Sequence, residues 1–462
     1  MKSLNFRQHY HDNFYSFVNL AFQSLNPGIV LHDTWHIRYL SEVLCYLDGM
    51  ESKFLIISIP PRNLKSTLIS VIWPAWLMGK DPTKRIIAAS YSQKLSNKLS
   101  LDCRFMITQK WYRDIFPELV VSKDQNEKHK FTTTSHGFRL ATSTNGTITG
   151  EGGDILILDD PHNPKEIFSS KLRYRTIRWF EQIFSSRLNN RKTGKIVIVM
   201  QRLHSEDLAG YLIEKGGYDS INIPIISDEK AIIECGEIKK TFAKGELLDE
   251  NRFNHAIIET LKSQLGDVSF SAQYLGKPLA MSGNIIKKEL IIVESSLPVF
   301  PEQIFQSWDS ASCNNSTSDY SVCSTWYIKE EKYYLVDIFR EKTSFIELKN
   351  AAKACYLKYK PDIILVEGKS SGLALFDELV DQNYPVHKIN PKDDKISKLI
   401  QVLSFFENKK VILCLNHYSM NDLQNELLQF PQSKNDDQVD SITQFLLWYK
   451  NRTVIKVRNV LA

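Results

Sequence analysis

No run of apolar residues in this chain approaches the roughly 18 that a membrane-spanning helix needs. Candidates such as 155–158 and 196–200 are of strand length. The opening Met1-Lys2-Ser3-Leu4-Asn5-Phe6 holds no apolar stretch of signal-peptide size, so export is not expected. Cysteine is sparse: seven residues, at 45, 103, 235, 313, 323, 355 and 414, with no C-x-x-C pair. That excludes a zinc knuckle or a disulfide framework and points to reduced thiols. There is no internal repeat and no low-complexity tract. Nor is there a strong charge of one sign: 58 Lys and Arg face 53 Asp and Glu, a net of +5. A nucleic-acid partner is allowed by that balance but not demanded by it. With 43% hydrophobic and 24% charged residues the chain is neither disordered nor fibrous. Its 462 residues suggest two to four domains.

The pattern along the chain divides it. Residues 1–50 read as a helical segment, with Phe14, Phe17, Val18, Ala21 and Phe22 at helical spacing. From 51 to 216 buried strands (54–59, 86–90, 155–158, 196–200) alternate with helices (about 65–78, and one through Leu95 and Leu99). Strands without a polar face indicate a parallel-rich sheet covered on both sides. Residues 217–298 are irregular and read as a connector or lid. From 299 to 450 the order is strand, strand, hairpin turn Lys329-Glu330-Glu331-Lys332, strand, helix (345–359), strand (363–366), helix (371–381) and a last helix (438–449). Residues 451–462 form a basic tail. The fold class expected is α/β, in two unlike α/β domains.

Pro60-Pro61-Arg62-Asn63-Leu64-Lys65-Ser66-Thr67 lies between a buried strand and a helix, the context of a phosphate loop. Backbone N–H groups at the helix start would cradle phosphates, Lys65 would reach their oxygens, and the Ser66 hydroxyl would hold Mg²⁺. Both glycines of the standard loop are missing, with Ile59 and Leu64 in their places. The plain alternative is an ordinary strand-to-helix turn. Ile155-Leu156-Ile157-Leu158-Asp159-Asp160 supplies the second half: a buried strand delivers its last side chains to the carboxyl edge of the sheet, where nucleotides bind. Asp159 would orient the metal and Asp160 would polarise the attacking water as general base. A third strand ends in Gln201-Arg202-Leu203-His204-Ser205-Glu206-Asp207-Leu208. Gln201 and Arg202 could sense the γ-phosphate there, in a turn whose helix Ser205 would cap.

In the second half, Asp309 follows Ile304-Phe305-Gln306-Ser307-Trp308 at the centre or end of a strand, Glu367 follows the apolar Ile363-Ile364-Leu365-Val366, and Asp440 lies where the last helix begins. Three carboxylates in one site repel unless cations neutralise them, the logic of a two-metal phosphodiester-cleaving centre. The alternative is that Asp436 and Asp437 simply cap the helix.

Taken in order, seven segments resemble the large terminase subunit of tailed bacteriophages and prophages. They are 60–66, 147–161, 201–210, Ser269-Phe270-Ser271-Ala272-Gln273-Tyr274, Ser307-Trp308-Asp309-Ser310-Ala311, 366–372, and Asp436-Asp437-Gln438-Val439-Asp440. The resemblance implies an N-terminal P-loop ATPase of the additional-strand type and a C-terminal ribonuclease-H-like nuclease. ATP and Mg²⁺ would serve the first, at Arg62, Asn63, Leu64, Lys65, Ser66, Thr67 and Asp159, with Asp160 as catalytic carboxylate and Gln201-Arg202 as coupling segment. Two Mg²⁺ or Mn²⁺ would serve the second, at Asp309, Glu367 and Asp440. It implies translocation of double-stranded DNA into a procapsid and cutting of concatemers in the host bacterial cytoplasm. The implied partners are a portal protein and a small terminase subunit, with a homo-oligomeric ring on the portal or a monomer in isolation, and no membrane. The family usually has Gly at Leu64 and often Glu at Asp160. Further candidates are Arg62 and Arg139 as arginine fingers, Trp35-His36 beside the adenine, Lys392 and Lys395 at the nuclease, Asp437 beside the third metal ligand, and Lys450, Arg452, Lys456 and Arg458 in the tail. Two rival readings are a helicase-like remodeller with an inactive nuclease domain and an inactive prophage relic.

Overall fold

A computed structural model describes residues 2–50, 53–148, 150–278, 284–310, 320–369, 371–390 and 393–452. Ala311, Cys313, Ser370, Lys392, Lys456 and Arg458 lie outside the described residues. The chain divides into two units, Met1–Ala280 and Met281–Ala462. Among the described residues no helix is long and apolar enough to cross a membrane.

The first unit is built on eight strands: β1 (Lys53–Ser58), β2 (Arg85–Ser90), β3 (Val121–Asn126), β4 (Lys130–Thr133), β5 (Phe138–Ser143), β6 (Ile155–Asp159), β7 (Lys195–Met200) and β8 (Asp219–Asn222). They lie in the order β3-β4-β5-β2-β6-β7-β1-β8. The strands from β5 to β8 in that order run parallel, and β3 and β4 add an antiparallel edge. β1, β6 and β7 are buried because their sequences are apolar on both faces (KFLIIS, ILILD, KIVIVM), as a doubly covered parallel sheet requires. The N-terminal helices Phe14–Leu25 and Trp35–Gly49 belong to this core: Phe14, Phe17, Leu40 and Leu44 pack with Leu55 and Ile57 of β1. The helix after β1 contains a π turn, Thr67–Ile72, before Trp73–Lys80.

The stretch read as a connector from sequence has regular structure. Asp219–Asn222 extends the sheet beyond β1, and β9 (Ala231–Cys235) and β10 (Ile238–Phe242) form a separate hairpin. The helices His255–Leu265 and Asp267–Leu275 follow. Residues 284–298 fall in the second unit.

That unit carries β11 (Ile292–Val293), β12 (Gln303–Asp309), β13 (Ser321–Lys329), β14 (Lys332–Glu341), β15 (Ile363–Glu367), β16 (Val386–Ile389) and β17 (Val411–Leu413). Their order is β11-β17-β14-β13-β12-β15-β16. β12, β13 and β14 are an antiparallel meander, and β15 joins β12 in parallel. The β13–β14 turn places Glu330 and Glu331 at φ 52° and 59°, the left-handed geometry that matches strand twist in a two-residue hairpin. The helix Asp437–Asn451 packs on β12 and β13, with Phe445 stacked on Trp326 at 4.7 Å between ring centroids.

Candidate functional sites

In the first unit, β6, β7 and β1 are neighbours and end level: Ser58 pairs with Met200 and Asp159 with Val199. The candidate residues follow from those three ends. Beyond β1, Arg62 and Leu64 both adopt left-handed backbone, φ 63° and 60°. For a residue with a Cβ that costs about 1–2 kcal/mol, so something must hold the loop. Asn63 does so from within: it is fully buried, and its Nδ2 donates to the carbonyls of Pro60 (3.3 Å) and Pro61 (3.1 Å). The glycine-less loop is thus braced by a side chain.

Lys65 is buried, its Nζ 2.8 Å from Asp160 Oδ2. Asp160 is tied to the ends of two neighbouring strands, β7 and β2. Its N–H donates to Val199 O at 2.9 Å, its carbonyl accepts from Tyr91 N–H at 3.0 Å, and its Oδ1 accepts from Gln201 N–H at 3.1 Å. Asp159 accepts from the Ser66 hydroxyl at 3.0 Å and the Ser70 hydroxyl at 2.7 Å. Burial, and then the Asp160 charge, push the Asp159 carboxyl up to about 6, with Lys65 and the two hydroxyls pulling the other way. Ser66 and Asp159 therefore present hard oxygen donors side by side, which fits a magnesium ion. Thr67 opens the π turn, whose Ser70 was not evident from sequence. Its one available signal is the four-residue spacing from Ser66 on one helix face.

Two arginines read as phosphate-facing are placed elsewhere. Arg139 is fully buried on β5 and donates through Nη2 to Ser70 O at 2.9 Å, so no neighbouring subunit can use it. It braces the π turn that carries Ser70. Arg202 turns back onto Asp207, Nε 2.9 and 3.0 Å from its two carboxylate oxygens. Asp207, fully buried, also accepts from the N–H groups of Leu203, His204 and Gly210 and caps the helix Leu208–Lys215. The cap is therefore Asp207 and not Ser205, because only Asp207 reaches all these donors. Replacing Arg202 with Met leaves that buried carboxylate without its cation. A loss of about 3 kcal/mol or more in urea unfolding is expected.

His162 accepts the Leu208 N–H through Nε2 at 2.9 Å, which requires a neutral ring. Burial, foremost, pushes its pKa down to about 4. The folded value lies below the unfolded value of about 6.5. Its stabilisation is therefore complete above pH 6.5 and lost as pH falls toward 4. The unfolding free energy of the wild type should fall relative to His162→Gln by about 1.4 kcal/mol per pH unit in that window. Urea titrations at a series of pH values measure the difference.

A cavity of about 300 Å³ adjoins the loop, lined among others by Arg62, Leu64, His36, Asp249 and Arg252. Of the pair Trp35-His36, His36 lines it, while the Trp35 ring packs on Phe242 with centroids 5.1 Å apart. Arg62 is exposed at the rim, and its carbonyl accepts from Arg252 Nη1 at 2.6 Å.

In the second unit, Trp308 pairs with Val366, so Asp309 and Glu367 leave adjacent parallel strands at the same edge. Asp440 comes from the first turn of Asp437–Asn451. That turn is seated by hydrogen bonds from Ser441 Oγ to Ser307 O (2.8 Å) and from Gln444 Nε2 to Trp308 O (3.2 Å). The Asp436 side chain makes no cap bond. Glu426, from the preceding helix, accepts the N–H groups of Gln438 (2.8 Å) and Val439 (3.0 Å) instead. Asp437 is buried in the same turn.

Burial, with repulsion from Asp440 and Glu367 and a hydrogen bond to Glu367, raises Asp309 well above the usual carboxylate range; Lys398 opposes this. Lys395 lies 2.6 Å from both Asp440 and Asp436, and Lys398 lies 3.2 Å from Asp440. Lys398, one helical turn beyond Lys395, was missed from sequence. Among the described residues no three acidic, His or Cys side chains stand in ready ligand geometry. The donors are nonetheless all carboxylates, the set a hard divalent cation takes. The Lys395 and Lys398 ammonium groups offset the charge of Asp440.

Residues 306–448 match the family model for the terminase RNaseH-like domain. No curated protein matches the chain by sequence. Among solved structures, the large terminase of a thermophilic bacteriophage is similar at 11% identity, covering 92% of this chain and 97% of that one with a TM-score of 0.52. Two further structures of that protein, with ADP (12%, TM-score 0.51) and with ATP-gamma-S (11%, TM-score 0.50), cover the same shares. The second unit thus carries a terminase RNaseH-like domain, and the chain has the α/β fold of a phage large terminase subunit.

Proposed function

We propose that this chain is the large subunit of a phage or prophage terminase. It hydrolyses ATP in the first unit to drive double-stranded DNA into a procapsid, and cuts concatemeric DNA in the second. The observation that carries the reading is the trio of level strand ends that places Lys65 2.8 Å from Asp160 and Ser66 3.0 Å from Asp159. Lys65 is within reach of a phosphate presented at the loop. Its transfer from Asp160 to that phosphate frees the Asp160 carboxylate to take a proton from water. Ser66 and Asp159 would hold the magnesium ion that neutralises phosphate charge. The cavity beside Leu64 takes the base, with Arg62 at its rim. Gln201 acts through its backbone N–H on Asp160. Asp309, Glu367 and Asp440 would hold the divalent cations that polarise the scissile phosphodiester. The partners are duplex DNA, a portal protein and a small terminase subunit, in a ring assembled on the portal within the bacterial cytoplasm.

One observation favours the remodeller with a non-cutting second unit: Lys395 and Lys398 both occupy Asp440. Supercoiled plasmid incubated with the full chain and Mg²⁺ or Mn²⁺ decides between them. Cutting that stops with a chelator supports the terminase. Intact plasmid alongside DNA-stimulated ATP hydrolysis supports the remodeller, and absence of both activities overturns the motor reading.

A further inference from the structure

Beyond the Asp159–Asp160 strand end the chain forms one helical stretch, the α-helix Ser170–Trp179 continued by a π turn, Phe180–Phe184, and a 3-10 turn, Ser185–Arg187. Its inner face, including Ile177, Trp179, Phe180 and Phe184, is buried in the apolar core. Its outer face presents Lys171, Arg175 and Arg178, all exposed, with Tyr174 among them. Residues 170–192 contain seven basic residues and one acid, Glu181. That acid is engaged by Lys215 and Tyr211. The whole chain has a surplus of only five positive charges. This short segment therefore holds all of it, and the remainder is slightly acidic. Arg173 points inward, 2.5 Å from Glu206. Among the described residues no carboxylate pairs with Lys171, Arg175 or Arg178.

We infer that this exposed helical face grips the phosphate backbone of double-stranded DNA, an inference that rests on the DNA-motor reading above. Positions 171, 175 and 178 fall on one side of a helix and span about 10 Å at 1.5 Å per residue, the scale of neighbouring backbone phosphates. Arg178 lies over the Tyr174 ring at 6.0 Å, and cations without a carboxylate partner keep their charge for a polyanion and gain by releasing its counterions. The arginine forks add two-pronged bonds to phosphate oxygens. The helix is also tied to the nucleotide site. Arg173 holds Glu206 in the turn that begins at Gln201, and Gln201 N–H donates to Asp160 at 3.1 Å.

The test is duplex-DNA binding by the full chain across a salt series. A combined Lys171→Gln, Arg175→Gln and Arg178→Gln variant should bind more weakly. Its slope of log affinity against log salt should be shallower by about 2.7, at about 0.9 for each lost phosphate contact. A control removing the same charge elsewhere, Lys123→Gln with Lys230→Gln and Lys244→Gln, all exposed, should keep the wild-type slope. ATP hydrolysis without DNA should be unchanged in both. Where the triple variant fails to fold, Arg178→Gln alone should still remove about 0.9 from the slope. An unchanged slope, or an equal loss in the control, overturns the assignment of this face. A wild type that binds no DNA at any salt overturns the motor reading, and this inference with it.

Discussion

Lys65→Ala is expected to lower ATP hydrolysis by about a thousandfold or more, the scale seen when a preorganised charge aimed at the reacting group is removed. The geometry makes the loss double. Lys65 is the cation nearest both carboxylates, 2.8 Å from Asp160 Oδ2 and lowering Asp159 as well. Without it, two adjacent acids face an incoming polyphosphate with nothing to offset their charge, so nucleotide binding falls along with turnover. Lys65→Arg should recover little, because a planar fork does not fit where a compact ammonium is enclosed at 7% side-chain exposure. Asp160→Asn separates the steps. It should bind nucleotide at least as tightly as the wild type and still fail to hydrolyse it, since the amide cannot accept the proton from water. Steady-state phosphate release, with nucleotide affinity measured separately, distinguishes these outcomes. Equal hydrolysis by Lys65→Ala and wild type would move the nucleotide site elsewhere.

The parts of this site that were legible in the sequence are those where one chemical demand governs a position. β1, β2, β6 and β7 announce themselves because a strand buried on both faces must be apolar throughout. A carboxylate directly after such a run is delivered to the carboxyl edge of the sheet, which located Asp159 and Glu367, while Asp309 follows a mixed run with Gln306 and Ser307. The polar strands were hidden for the opposite reason. β3 (VSKDQN) and β8 (DSIN) lie at the two edges of the sheet, so nothing in their composition separates them from loops. Arg202 shows a second limit. A cation at a strand end suits a phosphate and a carboxylate equally, and only the fold reveals that Asp207 claims it. In the same way Asn63 reads as a plain loop residue until the positive φ values on either side of it show what it holds in place. Glu426 caps a helix it does not belong to, a contact no local motif can encode.

Asp309→Asn should move activity and stability in opposite directions. Cutting should fall by about a thousandfold or more, because an amide cannot supply the negative oxygen that a bridging divalent cation needs. ATP hydrolysis should be unaffected, since its residues belong to a different unit. Stability in a chelator should rise by about 1 kcal/mol, as is common when a strained functional group is replaced by a neutral isostere. The reason lies in what surrounds Asp309. Burial alone disfavours its charge, and Glu367 and Asp440 add repulsion, so the cation-free fold carries the cost of an acid placed for ligation. Asp440→Asn should behave differently, because Asp440 already has partners. It would strand the buried Lys398, whose 3.2 Å contact loses its anion, and leave Lys395 with Asp436 alone. It should therefore destabilise the cation-free protein while also abolishing cutting. Thermal unfolding of both variants with and without Mn²⁺ tests the pair. Wild type should gain from the metal, and neither variant should gain as much. If Asp309→Asn melts below wild type in chelator, Asp309 is a structural carboxylate whose partners stabilise it, and the acidic cluster is not a site built for metal.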